Sequence, residues 1–313
     1  MKDMEVSKMT EYAVETQGLT KIYGDKAAVD HVDLRVKSGS IYGFIGRNGA
    51  GKSTTLKMIS GLVHPSQGDI RVFGKPVSGE TARRRLGILI EAPGLYPNLS
   101  ARENMLLKAK CMGLVKDGGV DEAMELMGIA DTGKKKVKSF SMGMKQRLGI
   151  AMALLGNPDL LVLDEPINGL DPEGIREIRE SLRRLNEEQG KTILISSHIL
   201  GELSKLASDY GIIKDGELIR QMSKEELEEI CRDFLLLEVD NADRAAALLS
   251  ETIPEAEYEV YDRKTLHIYG FMDTGTVNTL MVEHGITVTG CSVHSMDLEN
   301  YFLNLMDGGE RHA

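Results

Sequence analysis

The stretch GRNGAGKST, residues 46–54, constrains the fold of this chain more than any other. It follows a short apolar run, IYGFIG, and leads into Leu56, Ile59 and Leu62, whose helical spacing is expected to end near Pro65. Strand, glycine-rich loop and helix is the setting in which G-x-x-x-x-G-K-[ST] binds phosphate. The glycines let successive backbone N–H groups converge on one anion, and the helix N-terminus adds its partial positive charge. Gly46, Arg47, Asn48, Gly49, Ala50, Gly51 and Thr54 therefore read as a phosphate cradle. Lys52 is expected to reach the β- and γ-phosphates, and the Ser53 hydroxyl to ligate Mg²⁺. The fold expected around such a loop is α/β: a P-loop nucleoside triphosphatase (NTPase) with a mixed β-sheet core.

A P-loop alone leaves kinases, GTPases, helicases and transport ATPases open. The run LLVLDEP, residues 160–166, narrows them. Four apolar residues make a strand buried on both faces, as a parallel sheet requires, and open α/β sheets place ligands at the strand end where Asp164 and Glu165 follow. Asp164 suits a magnesium ligand, and Glu165 suits polarising a water for in-line attack on the γ-phosphate. In the next stretch, NGLDPEG, Asp171 is placed to cap a helix, with Pro172 at its first position and Ile175, Ile178, Leu182 and Leu185 at helical spacing. Gly190 closes that helix. A further apolar run, TILISSH, delivers His198 to the same sheet edge. A lone strand-end histidine is ordinarily structural, but here a neutral imidazole is positioned to reach the γ-phosphate.

Between these strands lies a segment that simple P-loop enzymes lack, mostly helical over roughly residues 86–155. It contains SFSMGMKQRLGIAMALLG, in which Ser141 and Gly143 open a helix with Leu148, Ala151, Met152 and Leu155 on one face. A serine and exposed glycine backbone at a helix start make a second anion site. The chain's own P-loop does not need it; a second copy of the chain would use it. The same segment begins with GILIEAPGLYPNLS, a buried strand that breaks into turns just after one carboxylate, Glu91.

GRNGAGKST, FSMGMKQR, LLVLDEP, GLD and SSH, in this order and spacing, resemble the ATP-binding subunit of ABC transporters over roughly residues 12–220. The resemblance implies a helical signature subdomain and a dimer that sandwiches two ATP molecules. Each ATP would be held by one chain's P-loop and the other chain's Ser141–Gly143 segment. It also implies that Tyr23 stacks on adenine, that Asp171 belongs with the nucleotide-binding residues, and that the motor drives an integral membrane permease on a separate chain. Two features depart from the usual pattern: Met142 and Met144 flank Gly143, and Arg47 replaces a proline. A third is Glu91, where most of the family carries glutamine against Mg²⁺ and the attacking water. A carboxylate is the stronger ligand for a hard cation, so Glu91 is expected to be both a metal ligand and a catalytic residue. The loop around it looks most like the bacitracin- and lantibiotic-export branch. Its residues Pro93, Leu95, Tyr96, Pro97 and Leu99 form an apolar surface suited either to a short helix of a membrane partner or to capping the helical subdomain.

Charge separates the chain into two parts. Residues 223–313 hold 19 acidic and 6 basic side chains, a net of −13, while the first 222 hold 29 and 32. So acidic a tail argues against nucleic acid as a partner, because backbone binding depends on Lys and Arg. Its strand and helix patterns, FLLLEVD, residues 242–250, YEVYD, TLHIYG, residues 273–284 and ITVTGCSV, follow a β-α-β-β-α-β order, expected to be ferredoxin-like. The expected organisation is a flexible extension over residues 1–11, a nucleotide-binding domain over 12–222 and an accessory α+β domain over 223–313. No apolar stretch approaches the roughly 18 residues that span a bilayer, and Cys111, Cys231 and Cys291 lack metal-ligand spacing. The expected location is the cytosol, peripheral at the inner face of the membrane. Two alternatives stay open: a non-transport ABC protein acting on a soluble assembly such as the ribosome, and a stand-alone small-molecule kinase.

Overall fold

A computed structural model describes residues 11–114, 119–254, 256–294 and 298–307, so the extension expected over 1–11 lies, except for Glu11, outside the described residues. The chain divides into two compact units, Met1–Lys224 and Glu225–Ala313.

The first unit begins with β1 (Tyr12–Tyr23), β2 (Lys26–Val32) and β3 (Arg35–Lys37), followed by β4 (Ile41–Ile45) and helix α1 (Lys52–Ile59). Next come β5 (Gln67–Val72), β6 (Lys75–Pro76), a single helical turn α2 (Glu80–Arg83) and β7 (Leu86–Leu89). Helices α3 (Ala101–Cys111), α4 (Val120–Leu126) and α5 (Met142–Leu154) make the helical subdomain. The unit finishes with β8 (Leu160–Asp164), α6 (Pro172–Gln189), β9 (Thr192–Ser197), the short α7 (Leu200–Leu203), β10 (Asp209–Lys214) and β11 (Glu217–Ser223).

These strands form two sheets. The antiparallel one has the order β2-β1-β5-β6, with β3 added on β1. The other runs β11-β10-β4-β9-β8-β7, parallel except for β11, which returns from β10 as a hairpin. Every residue of β8 is buried, as expected for a strand covered on both faces. At about 1.5–3 kcal/mol for each buried Leu or Val side chain, such strands are the main hydrophobic anchors of the unit. The β4, β8 and β9 C-terminal ends lie side by side, and this brings residues 46–54, Asp164–Glu165 and His198 to one edge.

Local rules account for the helices. Asp171 caps α6 by accepting from the Gly174 N–H at 3.2 Å, Pro172 takes the first position, and Gly190 ends it at φ 63°. Ile178, Leu182 and Leu185 form its buried stripe. The apolar spacing that suggested helix out to Leu62 does not hold: α1 stops at Ile59, and Leu62 is 60% exposed. Gly61, at φ 67°, turns the chain, and the Leu62 N–H closes back on the Lys57 carbonyl, a Schellman-type stop. Helix α5 approaches the sheet closely because Gly87 sits beneath it: a Cβ at that position would lie 2.3 Å from the Ala153 carbonyl oxygen.

The second unit begins within α8 (Lys224–Ile230). It comprises β12 (Phe234–Val239), α9 (Ala242–Thr252), β13 (Glu257–Val260), β14 (Thr265–Tyr269), α10 (Thr274–Glu283) and β15 (Val288–His294), then α11 (Leu298–Asp307). The sheet order is β13-β14-β12-β15 with all neighbours antiparallel, which is the ferredoxin-like arrangement. Leu235, Leu237, Leu266 and Ile268 point into a core shared with Ala245, Leu249, Val277 and Met281 of the two crossing helices.

Candidate nucleotide-binding site

The loop after β4 encloses a cavity of about 190 Å³, lined by Ala28, Arg47, Asn48, Gly49, Gly51, Lys52, Ser53, Thr54 and Glu165. Glycine is needed at two of its positions. A Cβ on Gly51, at φ 110°, would lie 2.6 Å from the Ala28 carbonyl oxygen, and one on Gly46 2.6 Å from that of Ile213. Helix α1 opens directly from this loop, so the unpaired N–H groups of its first turn face the cavity's edge.

Lys52 is buried, and its ammonium donates to the carbonyls of Gly46 at 2.7 Å and Arg47 at 3.3 Å. The same nitrogen lies 3.2 Å from Oε1 of Glu165. Oε2 of Glu165 is 2.8 Å from Nδ1 of His198. The glutamate thus sits between the P-loop cation and the strand-end imidazole. Beneath it, the fully buried Ser196 hydroxyl donates to Oδ1 of Asp164 at 2.6 Å and accepts from the Glu165 N–H at 2.9 Å. One side chain of β9 therefore fixes both carboxylates of β8. Glu165 has φ 48°, a left-handed conformation uncommon outside glycine, so the chain turns sharply just where the carboxylate must project.

Glu91 has the same left-handed backbone, at φ 63°. Its Oε1 accepts from Nζ of Lys57 at 2.5 Å, an ion pair between the loop after β7 and helix α1. This pairing is the leading reason the Lys57 ammonium titrates above its ordinary range, with Tyr23 and Asp164 adding smaller pulls in the same direction. Glu91, Asp164 and Glu165 all line one cleft of about 600 Å³, together with Pro93, Leu95, Pro97, Met142, Gln146 and Asn168. The apolar loop thus forms one wall of a groove that opens onto the carboxylates.

The residues suit a magnesium–nucleotide. Oε1 of Glu165 is buried and, despite its ion contact with Lys52, has no aligned hydrogen-bond donor. The glycine cradle leaves room only for backbone, and a hydroxyl with two or three carboxylates is the hard-oxygen set that Mg²⁺ takes alongside phosphate. Ser53 of the P-loop cavity and Asp164 and Glu91 of the cleft would hold the ion, Glu91 by giving up its pairing with Lys57.

Other expected residues stand apart. Tyr23 is 51% exposed at the end of β1, with the Lys21 ammonium 5.2 Å from its ring centre. Ser141 caps α5 by accepting from the Met144 N–H at 3.2 Å, and neither it, Gly143 nor Asp171 lines the P-loop cavity of its own chain. Ser196, Lys57 and Asn168 were not singled out from sequence. Only Ser196 had a visible signal, its place two residues before His198 in an apolar run. The arginine run 83–85 is bound within the chain: Arg84 to Glu80, Arg85 to Asp159, and Arg83 to the Ser78 carbonyl.

Comparison with known proteins gives the family and the fold. A family model described as ABC transporter matches residues 29–168. The bacitracin transport ATP-binding protein of Bacillus licheniformis is 43% identical over 95% of this chain and 98% of its own length. Its counterpart in Enterococcus faecalis is 40% identical over 96% and 98%. A lantibiotic transport ATP-binding protein of Streptococcus pyogenes is 42% identical over 72% of this chain and 98% of its own. Among solved structures, an ATP-binding cassette crystallised as a dimer with ADP and phosphate is similar at TM-score 0.61 and 26% identity, covering 67% of this chain and 98% of that one. A Clostridium perfringens component of the cbiONQ transporter complex is similar at TM-score 0.64 and 27% identity, covering 78% and 96%.

Proposed function

The chain belongs to the ATP-binding, ATP-hydrolysing subunits of ABC transporters, and on that premise we propose that it powers a separate membrane-spanning permease that moves a bacitracin-like peptide antibiotic out of the cell. The observation that carries this reading is the span of the match. The two bacitracin relatives align with nearly the whole chain, both units included, whereas the lantibiotic relative is used up within 228 residues. The C-terminal unit therefore sets the chain apart from the lantibiotic relative, and a bacitracin-type cargo is proposed from the 40–43% identity to the two bacitracin relatives. These matches also favour transport over the ribosome-directed alternative. No helix among the described residues is long and apolar enough to cross a membrane; the reading places the chain at the inner face of the membrane through its partner.

Two copies would close on two ATP molecules, each P-loop meeting the Ser141–Gly143 segment of the other copy, with Asp171 beside that junction and Tyr23 stacked on adenine. Bound Mg²⁺ offsets the charge that develops on the phosphates. Lys52, already held over the loop carbonyls, receives the β- and γ-phosphates, and this exchange draws its charge away from Glu165. The freed carboxylate accepts the proton of the attacking water. His198 keeps Glu165 oriented through Nδ1 and is assigned the γ-phosphate through its other ring nitrogen. Asp164, locked by Ser196, would hold the metal ion.

The test is capture of the partner. Tagged Glu165→Gln chain, expressed in the native cell and solubilised in mild detergent with Mg-ATP, is expected to hold a closed dimer and retain a multi-spanning membrane protein. Recovery of ribosomal proteins, or of none, refutes the transport reading.

A further inference from the structure

The C-terminal sheet has two unlike faces. Helices α9 and α10 cover one. Strand registers place Phe234, Leu236 and Glu238 of β12, Tyr269, His267 and Thr265 of β14, Glu257 and Glu259 of β13, and His294 and Ser292 of β15 together on the other. This second face is built of rings. Tyr261 stacks on His267 at 5.4 Å, His267 on Phe234 at 4.2 Å, and Phe234 on His294 at 5.5 Å between ring centres. Tyr261 is 70% exposed, and Glu257, Glu259, Ser292 and His294 are exposed as well. Burial of its ring lowers the His267 pKa, with Glu259 pulling the other way.

One row of this face already holds a cation. The Arg232 guanidinium lies 4.7 Å from the Tyr269 ring centre, and its Nη2 is 2.6 Å from Oε2 of Glu257. Tyr269 and Glu257 are cross-strand partners. The next row repeats the chemistry: His267 and Glu259 are cross-strand partners, with Tyr261 stacked beside them. Among the described residues no lysine or arginine forms an ion pair with Glu259. Aromatic faces next to carboxylates attract guanidinium and ammonium groups.

We propose that this ring face is a docking surface for a basic segment of the membrane partner, with an arginine or lysine seated between Tyr261, His267 and Glu259 as Arg232 is seated between Tyr269 and Glu257. The inference rests on the transporter reading above. Charge selects the occupant. A net of −13 over residues 223–313 repels a second copy, nucleic acid and anionic lipid alike. Cytoplasmic loops of membrane proteins, by contrast, carry an excess of Lys and Arg. Among the described residues β13 pairs only with β14, so its other edge suits an added strand.

The experiment places the photo-crosslinker p-benzoylphenylalanine at Tyr261 in the full-length Glu165→Gln chain. It is expressed in the native cell, illuminated, solubilised in Mg-ATP and purified by tag. The expected result is a crosslink to the co-purifying multi-spanning subunit, mapped by mass spectrometry to an Arg/Lys-rich cytoplasmic segment. Glu257→Lys/Glu259→Lys should reduce that crosslink at least tenfold while the subunit still co-purifies and the otherwise unmodified chain hydrolyses ATP normally. Co-purification without a crosslink, or a crosslink indifferent to charge reversal, overturns the docking surface and leaves the transporter reading intact. Failure of any membrane subunit to co-purify overturns both.

Discussion

Replacing Ser196 with alanine tests how the two carboxylates are held. The hydroxyl is fully buried and makes two bonds, donating to Asp164 at 2.6 Å and accepting from the Glu165 N–H at 2.9 Å. A hydrogen bond to a charged group contributes about 1.5–3 kcal/mol, and a buried N–H left unpaired costs about 1–3 kcal/mol. The two share one oxygen and do not add fully, so the expected loss is about 3 kcal/mol. For a unit of this size that lowers Tm by roughly 6–12 °C. Ser197→Ala is the comparison: it is equally buried but bonds only locally, accepting from the Ile199 N–H at 2.9 Å, and should cost about 1 kcal/mol. Urea unfolding followed by circular dichroism, with the transition of the first unit resolved, measures both. ATP hydrolysis by Ser196→Ala should fall about 10- to 100-fold, since about 1.4 kcal/mol of lost positioning is one factor of ten. Equal costs for the two serines, or a Ser196→Ala loss below about 1 kcal/mol, would refute the idea that β9 fixes the carboxylates of β8.

Three further outcomes are expected. Gly87→Ala drives a methyl to 2.3 Å from the Ala153 carbonyl oxygen and 2.6 Å from Leu161 Cδ2; overpacking against backbone should cost about 1–3 kcal/mol, and an unchanged denaturation midpoint would contradict it. Glu103 is held down to about 2 by the Ser100 backbone N–H first, then by the Ser100 side chain and Lys136. A depressed carboxylate contributes stability above its ordinary value near 4.5 and loses it as pH falls toward 2, so Glu103→Gln should flatten that part of the acid-unfolding profile. Glu91→Gln removes an exposed ion pair and should change stability by less than about 1 kcal/mol while shifting the Mg²⁺ dependence of hydrolysis; an identical Mg²⁺ titration would make Glu91 a plain strand end.

What was legible in the sequence was local. The P-loop announces itself because its glycines, Lys52 and Ser53 act within one strand-loop-helix, so spacing alone reports the chemistry. Asp171, Pro172 and Gly190 mark both ends of α6 for the same reason. The C-terminal unit was readable through alternation and turn residues, and its strand order follows from the βαββαβ sequence of elements. Partners far apart along the chain were not legible. Ser196 matters only because β9 lies beside β8, and Lys57 looks like any surface lysine until Glu91, 34 residues away, meets it. Leu62 misled because its spacing is helical while Gly61 ends the helix. The apolar run FLLLEV also hid which face of its strand is bare, since both of its faces carry large residues.

The left-handed turns at Glu91 and Glu165 bear on how this protein can diverge. Non-glycine residues rarely hold φ values of 63° and 48°, and side chains branched at Cβ hold them least of all. Drift at either position is thus channelled toward Gln, Asn, Asp or Gly. A lineage can add or remove a charge there in one step without rebuilding the loop, but it cannot wander to Val, Ile or Thr. Exchange of charge is therefore cheap at these two turns, while the geometry that presents the group is inherited unchanged.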